Sequence, residues 1–457
     1  MAASPDLPLR FATHVADRGL FPEPGKAVIA VSGGPDSTAL LHLLVRVAPR
    51  LGLEMTVGHV DHGIASRSGE WADRVAALAA ELTLPCRLAR LGLGPATSET
   101  RAREARYAAL RSMQHALGAR FLVTAHHRDD QIETVLLRVL RGSGPAGLAG
   151  IPERGADGLV RPLLVFSRRE IHDWLRRDVP AACPVSDPAN GDTVHDRSWV
   201  RAALRPLLRG RMGDAVDAHV ISLADQAAAD RAAWSAVVGA LGDLEYRPVA
   251  GGIEVARASL QRYDKVLSMA LLRTLAREAG CPLGASRSAR LFDFVTHAES
   301  GRTLQLGDAW MTEVVFDRVR IRRMDTTVES ERPPATRWGA EAEGMARWGG
   351  WCITWHTGAA ERVERGGYAT WATPGSGVIR SVLPGDRLFP LGGVGRRKVR
   401  RLLMEARVPR SERNGYPVVA RAGDVWWIPG ICRGEAHVPV PGEPAVRIEA
   451  RPTDRAT

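Results

Sequence analysis

Ser32-Gly33-Gly34-Pro35-Asp36-Ser37 sets glycines beside a carboxylate, a combination with a definite chemical use. Glycine lets backbone N–H groups close on an anion, and a carboxylate next to bound phosphate suits Mg²⁺. The loop lacks the lysine that ends a G-x-x-x-x-G-K-[ST] loop and reaches the terminal phosphates. It is therefore poorly equipped to assist transfer of a terminal phosphoryl group. It could instead hold the β and γ phosphates as a leaving group while a nucleophile attacks the α phosphorus. A plain strand–helix turn, with Asp36 and Ser37 capping the helix, is the alternative.

A second polar cluster, His59-Val60-Asp61-His62-Gly63, carries two histidines and an aspartate. In an extended segment His59 and His62 point different ways, and the further ligands a metal needs are missing. A turn in which Asp61 and His62 bond backbone is the expectation. The third cluster, Thr124-Ala-His-His-Arg-Asp-Asp-Gln-Ile-Glu-Thr134, leads into a Gly-rich loop. A helix beginning near Arg128 puts Asp130 and Glu133 on one face, one turn apart. Acids at a helix N-terminus are favoured by its dipole in any case. Paired carboxylates at a pocket mouth would also suit a cationic, amine-bearing substrate.

These clusters need elements to hold them together. Apolar runs at Ala27–Val31, Met55–Val60 and Phe121–Thr124 read as strands, and helical patterns fall near 36–48, 69–82, 99–117 and 129–141. This βαβα rhythm predicts a parallel sheet covered on both faces. All three clusters then sit at carboxyl ends of strands, where such sheets bind ligands. Beyond this α/β domain (1–210), an alanine-rich helical stretch opens a mostly helical middle domain (211–325). Thr326–Thr336, with two prolines, reads as a linker. A small α+β domain (337–457) follows, with short strands such as Trp351–Thr357 and Val425–Pro429 and a basic helix over roughly Val394–Ala406.

The formal charge is +11, and only three of the 62 basic residues are lysine (Lys26, Lys265, Lys398). Arginine excess of this kind follows coding bias, but the net charge favours a polyanionic partner. Cys86, Cys183, Cys281, Cys352 and Cys432 lie far apart, which argues against a structural zinc site, an iron–sulfur cluster or a disulfide framework. No apolar run approaches a membrane span, and MAASPDLPLRF lacks a signal core, so a cytoplasmic protein is expected.

Taken in order, SGGPDS, HVDHG, ARxxRY (Ala102–Tyr107), AHHRDDQIET and RGSGPAGLAG resemble the bacterial tRNA(Ile)-lysidine synthetases, of the PP-loop ATP pyrophosphatase group. The resemblance continues through Arg161-Pro162-Leu163-Leu164, Ser186–Asn190, Arg197 and Arg201, and returns at PGDR (384–387), 395–419 and Trp426–Gly430. It implies a Rossmann-like PP-loop fold and a two-step reaction. ATP adenylates the wobble cytidine of the CAU-anticodon isoleucine tRNA at C2, and the ε-amine of free lysine then displaces AMP. It also implies that Ser32, Gly33, Gly34, Pro35, Asp36 and Ser37, with His59, Asp61 and His62, bind ATP, and that Asp36 serves Mg²⁺. Arg106 joins Asp36, Asp130 and Glu133 in catalysis, and either Arg103 or Arg106 meets the α-phosphate or the tRNA backbone. Lysine falls to Asp130 and Glu133, and Arg197 and Arg201 take its carboxylate or a nearby tRNA phosphate. Arg103 is thus a candidate for tRNA contact, and the acceptor stem falls to the basic cluster Arg396, Arg397, Lys398, Arg400 and Arg401.

The pattern departs from the family at Ala65, Ala189 and Ser198, where arginine, serine and asparagine are usual; Arg67 could replace the first from a shifted loop. A PP-loop tRNA thiolase is the nearest rival, but sulfur transfer needs cysteines and none falls at an expected strand end. A small-metabolite synthetase would not need the basic C-terminal domain. An inactive RNA-binding relative would not need Asp36, Asp130 and Glu133. Oligomeric state is left open, a homodimer included.

Overall fold

The computed structural model describes residues 6–63, 68–94, 97–181, 184, 196–249, 251–307, 309–324, 332–339 and 341–453. Ala65, Arg67, Ser186–Asn190 and residues 326–331 of the expected linker lie outside them. The chain forms two compact units, Met1–Ala233 and Trp234–Thr457.

In the first unit α1 (Leu7–Asp17) leads to β1 (Gly25–Ala30), α2 (Pro35–Leu51), β2 (Leu53–Asp61), α3 (Ser68–Glu81) and β3 (Cys86–Arg90). Then come α4 (Glu99–Ala116), β4 (Phe121–Val123), α5 (Arg128–Leu140), α6 (Pro145–Leu148), β5 (Leu159–Val160) and α7 (Arg168–Asp178). The strands pair in parallel in the order β3-β2-β1-β4-β5. Neighbouring residues serve opposite faces. Ile29, Val57 and Val123 pack with Phe11, Leu40, Leu44 and Trp174, while Val28 and Leu122 pack with Leu110 and Leu159. Burial on both faces explains why these strands read as continuous apolar runs. The chain runs outward from β1 to β3 and then returns to β4. This reversal opens a crevice at the carboxyl ends of β1 and β4.

After α7, α8 (Asp196–Trp199) passes through a π turn (Val200–Leu204) into α9 (Arg205–Met212), and α10 (Ala215–Ala240) follows.

The second unit holds more strand than its sequence advertises. β6 (Arg247–Val249), β7 (Gly252–Ala256), β8 (Thr303–Gly307), β9 (Trp310–Val315) and β10 (Arg318–Arg323) form an antiparallel sheet, β6-β7-β10-β9-β8. α11 (Arg257–Gln261), α12 (Lys265–Glu278) and α13 (Ala285–His297) share its core through Leu260, Leu271, Leu275, Leu291, Val319 and Ile321. A mostly helical segment is expected here; β10, Arg-Val-Arg-Ile-Arg-Arg, hides its alternation under charge. The buried carboxylate of Glu254 accepts that charge, pairing with Arg247, Arg318 and Arg320.

Two further sheets share a core rich in tryptophan, including Trp338, Trp348, Trp426 and Trp427. One is β11 (Thr336–Trp338), β15 (Gly377–Arg380), β18 (Val418–Arg421), β19 (Asp424–Ile428) and β20 (Cys432–Arg433). The other is β12 (Glu343–Trp348), β13 (Trp351–Ala359), β21 (Pro444–Pro452) and β14 (Ala369–Ala372). The basic segment departs from expectation. Its helix, α14, is only Val399–Glu405, while β17 (Arg397–Lys398) pairs with β16 (Arg387–Leu388). Gly392 and Gly395 take positive φ and end any helix before them. Arg396, Arg397 and Lys398 therefore precede the helix rather than sharing a face with Arg400 and Arg401.

Gly58 in β2 governs how α4 sits on the sheet. A Cβ there would lie 2.7 Å from Val28 Cγ1 and 3.4 Å from both Leu110 Cδ2 and Met113 Sδ. Gly58→Val should therefore overpack this layer and destabilise the protein by about 1–3 kcal/mol. The urea midpoint of the variant, compared with wild type, checks it.

Candidate active site

The Ser32–Ser37 loop closes on itself. Gly33 has φ +89°, Gly34 is the N-cap of α2 and Pro35 its first residue, placed where a missing N–H costs nothing. No side chain caps this helix, so Asp36 and Ser37 are free of the capping role that a plain turn would give them. Ser37 Oγ instead donates to Gly34 O at 3.0 Å and accepts from Ser32 N at 3.2 Å. The first amides of α2 lack intrahelical acceptors and carry the positive end of its dipole, an arrangement suited to phosphate. His59 is buried, and its Nδ1–H donates to Val31 O at 2.7 Å, so it reaches the loop from below through backbone. Asp61 Oδ1 accepts from Gly63 N at 2.9 Å, the turn bonding the sequence predicts for it. Among the described residues no cluster of three or more His, Cys, Asp or Glu could hold a metal by itself.

Asp36 lies between two imidazoles. His172 Nε2 on α7 donates to Oδ1 at 2.8 Å, and His127 Nε2 stands 3.7 Å from Oδ2. Burial raises the Asp36 pKa, but the two facing imidazoles, His127 and His172, outweigh it and hold the carboxyl well below the usual range. Asp36 is thus an anion with one oxygen committed. The other fits the single carboxylate that Mg²⁺ takes when phosphates supply the remaining ligands.

Asp130 and Glu133 are brought together with Arg197 and Arg201, but as each other's partners. Glu133 is fully buried; it accepts from Arg197 Nε at 2.9 Å and from Arg201 at 2.6 and 3.0 Å. Arg197 also donates to Asp130 Oδ1 at 2.8 Å. The sequence reading gives the acids to lysine and the arginines to its carboxylate or a tRNA phosphate, whereas here the four close on one another because a carboxylate without water must be matched by guanidinium. Removing one partner from such a cluster costs about 3–5 kcal/mol. The series continues: Arg205 pairs with Asp129 and Asp217, and Arg209 with Asp217. Arginines four residues apart drift around an α-helix, and the wider π turn at 200–204 corrects the drift.

His126 and His127 are neighbours in sequence with opposite surroundings. Burial lowers the His126 pKa far below its usual value, helped by Arg161, Arg103, Arg197 and Arg106. Its neutral ring accepts from Arg103 at Nε2 (3.3 Å) and donates from Nδ1 to Thr124 Oγ1 (2.9 Å). Arg103 and Arg106 lie over the Tyr107 ring at 5.2 and 5.9 Å, and the nearby Arg161 is buried. Burial alone would lower the His127 pKa too, but Asp36, Asp130 and Asp129 raise it. One wall of the crevice is therefore cationic and the other anionic. Sequence reasoning missed His172, Arg205 and Asp217, and picked out Arg161 only as part of a motif, without a role. The four-residue spacing of Arg197, Arg201, Arg205 and Arg209 was a visible signal for the arginine series; His172 had none.

Because the His127 pKa is raised above 6.5 on folding, its stabilising effect is full below that value and is lost as pH climbs through the native pKa. The stability gap between wild type and His127→Asn should therefore be wider at about pH 6 than at about pH 9. Urea unfolding at the two pH values checks it.

Residues 9–208 match the model of the PP-loop domain, and residues 378–450 match the TilS substrate C-terminal domain. A tRNA(Ile)-lysidine synthase of Symbiobacterium thermophilum is 32% identical over 97% of each chain. One from Geobacter sulfurreducens is 31% identical over 95% of this chain and 96% of its own. A solved U34-tRNA thiolase of Methanococcus maripaludis aligns at 15% identity over 48% of this chain and 78% of its own, with a TM-score of 0.41, too low to favour the thiolase rival. With a relative matched from end to end and both domain models in place, the chain belongs to the tRNA(Ile)-lysidine synthase family.

Proposed function

We propose that the protein ligates lysine onto C2 of the wobble cytidine, position 34, of the isoleucine tRNA with a CAU anticodon. ATP adenylates the C2 oxygen and pyrophosphate leaves; the lysine ε-amine then attacks C2, AMP leaves and lysidine results. The modified base reads A in place of G, so decoding moves from AUG to AUA. The observation that carries this reading is a lysine-free phosphate loop with Asp36 beside it, in a chain whose full-length relatives bear that name. None of the four described cysteines (Cys86, Cys281, Cys352, Cys432) lies at the crevice between β1 and β4, so nothing among the described residues favours sulfur transfer.

Each wall of the crevice has a task in this reading. The Ser32–Ser37 amides take the β and γ phosphates, and Arg103 and Arg106 face the α-phosphate or tRNA backbone from the cationic wall. A Mg²⁺ ion bound through Asp36 and the phosphates would neutralise charge on the leaving pyrophosphate. Free lysine carries an ammonium and a carboxylate, the complements of Asp130 and Arg197. These two are 13% and 25% exposed at their side chains, so lysine can enter between them while the fully buried Glu133 holds Arg197 from behind. Among the described residues no helix is long and apolar enough to cross a membrane, which accords with a cytoplasmic enzyme acting on tRNA.

Incubating the protein with ATP, radiolabelled lysine and candidate tRNAs tests the proposal. Label should be retained only by the CAU-anticodon isoleucine tRNA, and Asp36→Ala should abolish retention while the fold survives. Label on no tRNA overturns the reading.

The basic segment refines where tRNA is held. Arg397 and Arg401 both pair with Glu405, which removes much of their charge from any partner. Arg396, Lys398 and Arg400 are exposed, and none has a carboxylate within 4.0 Å among the described residues. Replacing these three with alanine should lower the magnitude of the log–log salt slope of tRNA binding by about 0.7–0.9 per lost phosphate contact. Arg397→Ala with Arg401→Ala should change it less. Filter binding across a salt series measures both.

A further inference from the structure

His172 belongs to none of the motifs above, yet it reaches across 136 residues of chain to donate from Nε2 to Asp36 Oδ1 at 2.8 Å. Three observations separate this bond from ordinary packing. First, α7 is seated without it. Ser167 and Glu170 form a capping box at its start, Arg10 pairs with Glu170 at 2.8 Å, and Ile171, Trp174 and Leu175 bury the other face. Second, the side chains of His172 and Asp36 are 25% and 28% exposed, so the pair does not close the core. Third, the bond is one-sided. Oδ1 takes a hydrogen bond, whereas Oδ2 has only a looser ion-pair contact with His127 at 3.7 Å, which leaves its hydrogen-bonding lone pairs to a ligand.

A carboxylate on the first turn of a helix can swing between rotamers, and each rotamer offers a different oxygen to the loop. A donor fixed on a separately anchored helix removes that freedom. We propose that His172 is a positioning residue for the nucleotide: its Nε2–H holds Asp36 Oδ1 and leaves Oδ2 as the oxygen open to the cation that accompanies ATP. This rests on the ATP-dependent reading above and extends it to a residue outside the loop. Groups that orient a ligating carboxylate in this way change metal affinity by about 10–100-fold when removed.

The test uses the full chain with Mn²⁺ in place of Mg²⁺. Free Mn²⁺ is followed by electron paramagnetic resonance during titration in the presence of a non-hydrolysable ATP analogue. His172→Ala and His172→Met remove the donor; His172→Gln keeps an N–H that can reach Asp36. Both donor-free variants should weaken Mn²⁺ binding by about tenfold or more, and His172→Gln should restore most of it. In lysine transfer they should raise KM for ATP while KM for lysine and tRNA stays within about twofold. Melting temperatures should stay near wild type. Wild-type Mn²⁺ binding by the donor-free variants overturns the proposal. So does equal impairment of all three variants with a matching fall in melting temperature, or failure of both donor-free variants to fold, since either makes the bond a stabilising one. A wild-type chain that binds Mn²⁺ and nucleotide but transfers no lysine would sink the ligase reading and leave this one standing.

Discussion

A carboxylate shut away from water needs compensating charge, and Glu133 is such a carboxylate. The idealised cost of burying an ion unpaired far exceeds a domain's net stability, so Glu133 holds two guanidiniums close. That requirement places Arg197 and Arg201, and with them the whole helical run from Asp196 to Met212, against α5. Arg197 in turn holds Asp130, whose other oxygen accepts from the backbone N–H of His127 at 2.9 Å. His127 faces Asp36 at the phosphate loop. A line of opposite charges thus runs from the buried core of α5 to the residue suited to the cation. The loop is shaped by its glycines, but its one carboxylate is held by imidazoles on two other parts of the first unit, the start of α5 and α7.

The crevice separates charge along the reaction's own division of labour. Pyrophosphate and the α-phosphate are anions, and free lysine presents an ammonium. His126 and His127 mark the boundary, one kept neutral among arginines and the other favoured as a cation among aspartates. Consecutive residues have pKa values pushed apart in this way because His126 lies in the turn after β4, bonded to Thr124 and Arg103, whereas His127 is the N-cap of α5 among aspartates. Preorganised charge of this kind costs no rearrangement when the reacting groups arrive.

Much of the first unit could be read from sequence because its signals are short-range. Ala27–Val31 and Phe121–Thr124 are apolar because both faces of the sheet are covered, and Ser32–Ser37 follows at once. β3 and β5 escaped notice for physical reasons: Cys86–Arg90 is a half-exposed edge, and Leu159–Val160 is two residues long. In the second unit, β10 is disguised by arginines that a single buried glutamate makes tolerable. The basic segment misled in the opposite sense. Its charge density was plain, but Gly392 and Gly395 break the helix, and Glu405 accepts two of the arginines. Pairings across long stretches of chain, such as His172 with Asp36 or Arg205 with Asp129 and Asp217, leave no mark on local pattern. They appear only once the helices are packed.

The arginine series from 197 to 209 also dictates where the protein can change length. One residue added to a helix turns everything beyond it by about 100°. An insertion or deletion between Asp196 and Met212 would swing at least one guanidinium away from its carboxylate, and the π turn has already used the only slack that four-residue spacing needs. Before Asp196 the same change disturbs no pairing in the series, whereas between Met212 and Asp217 it would still displace the carboxylate that Arg205 and Arg209 share. Homologous chains should therefore vary in length before Asp196 or after Asp217, and keep the interval between them constant. The count of residues, more than their bulk, is what these pairings constrain.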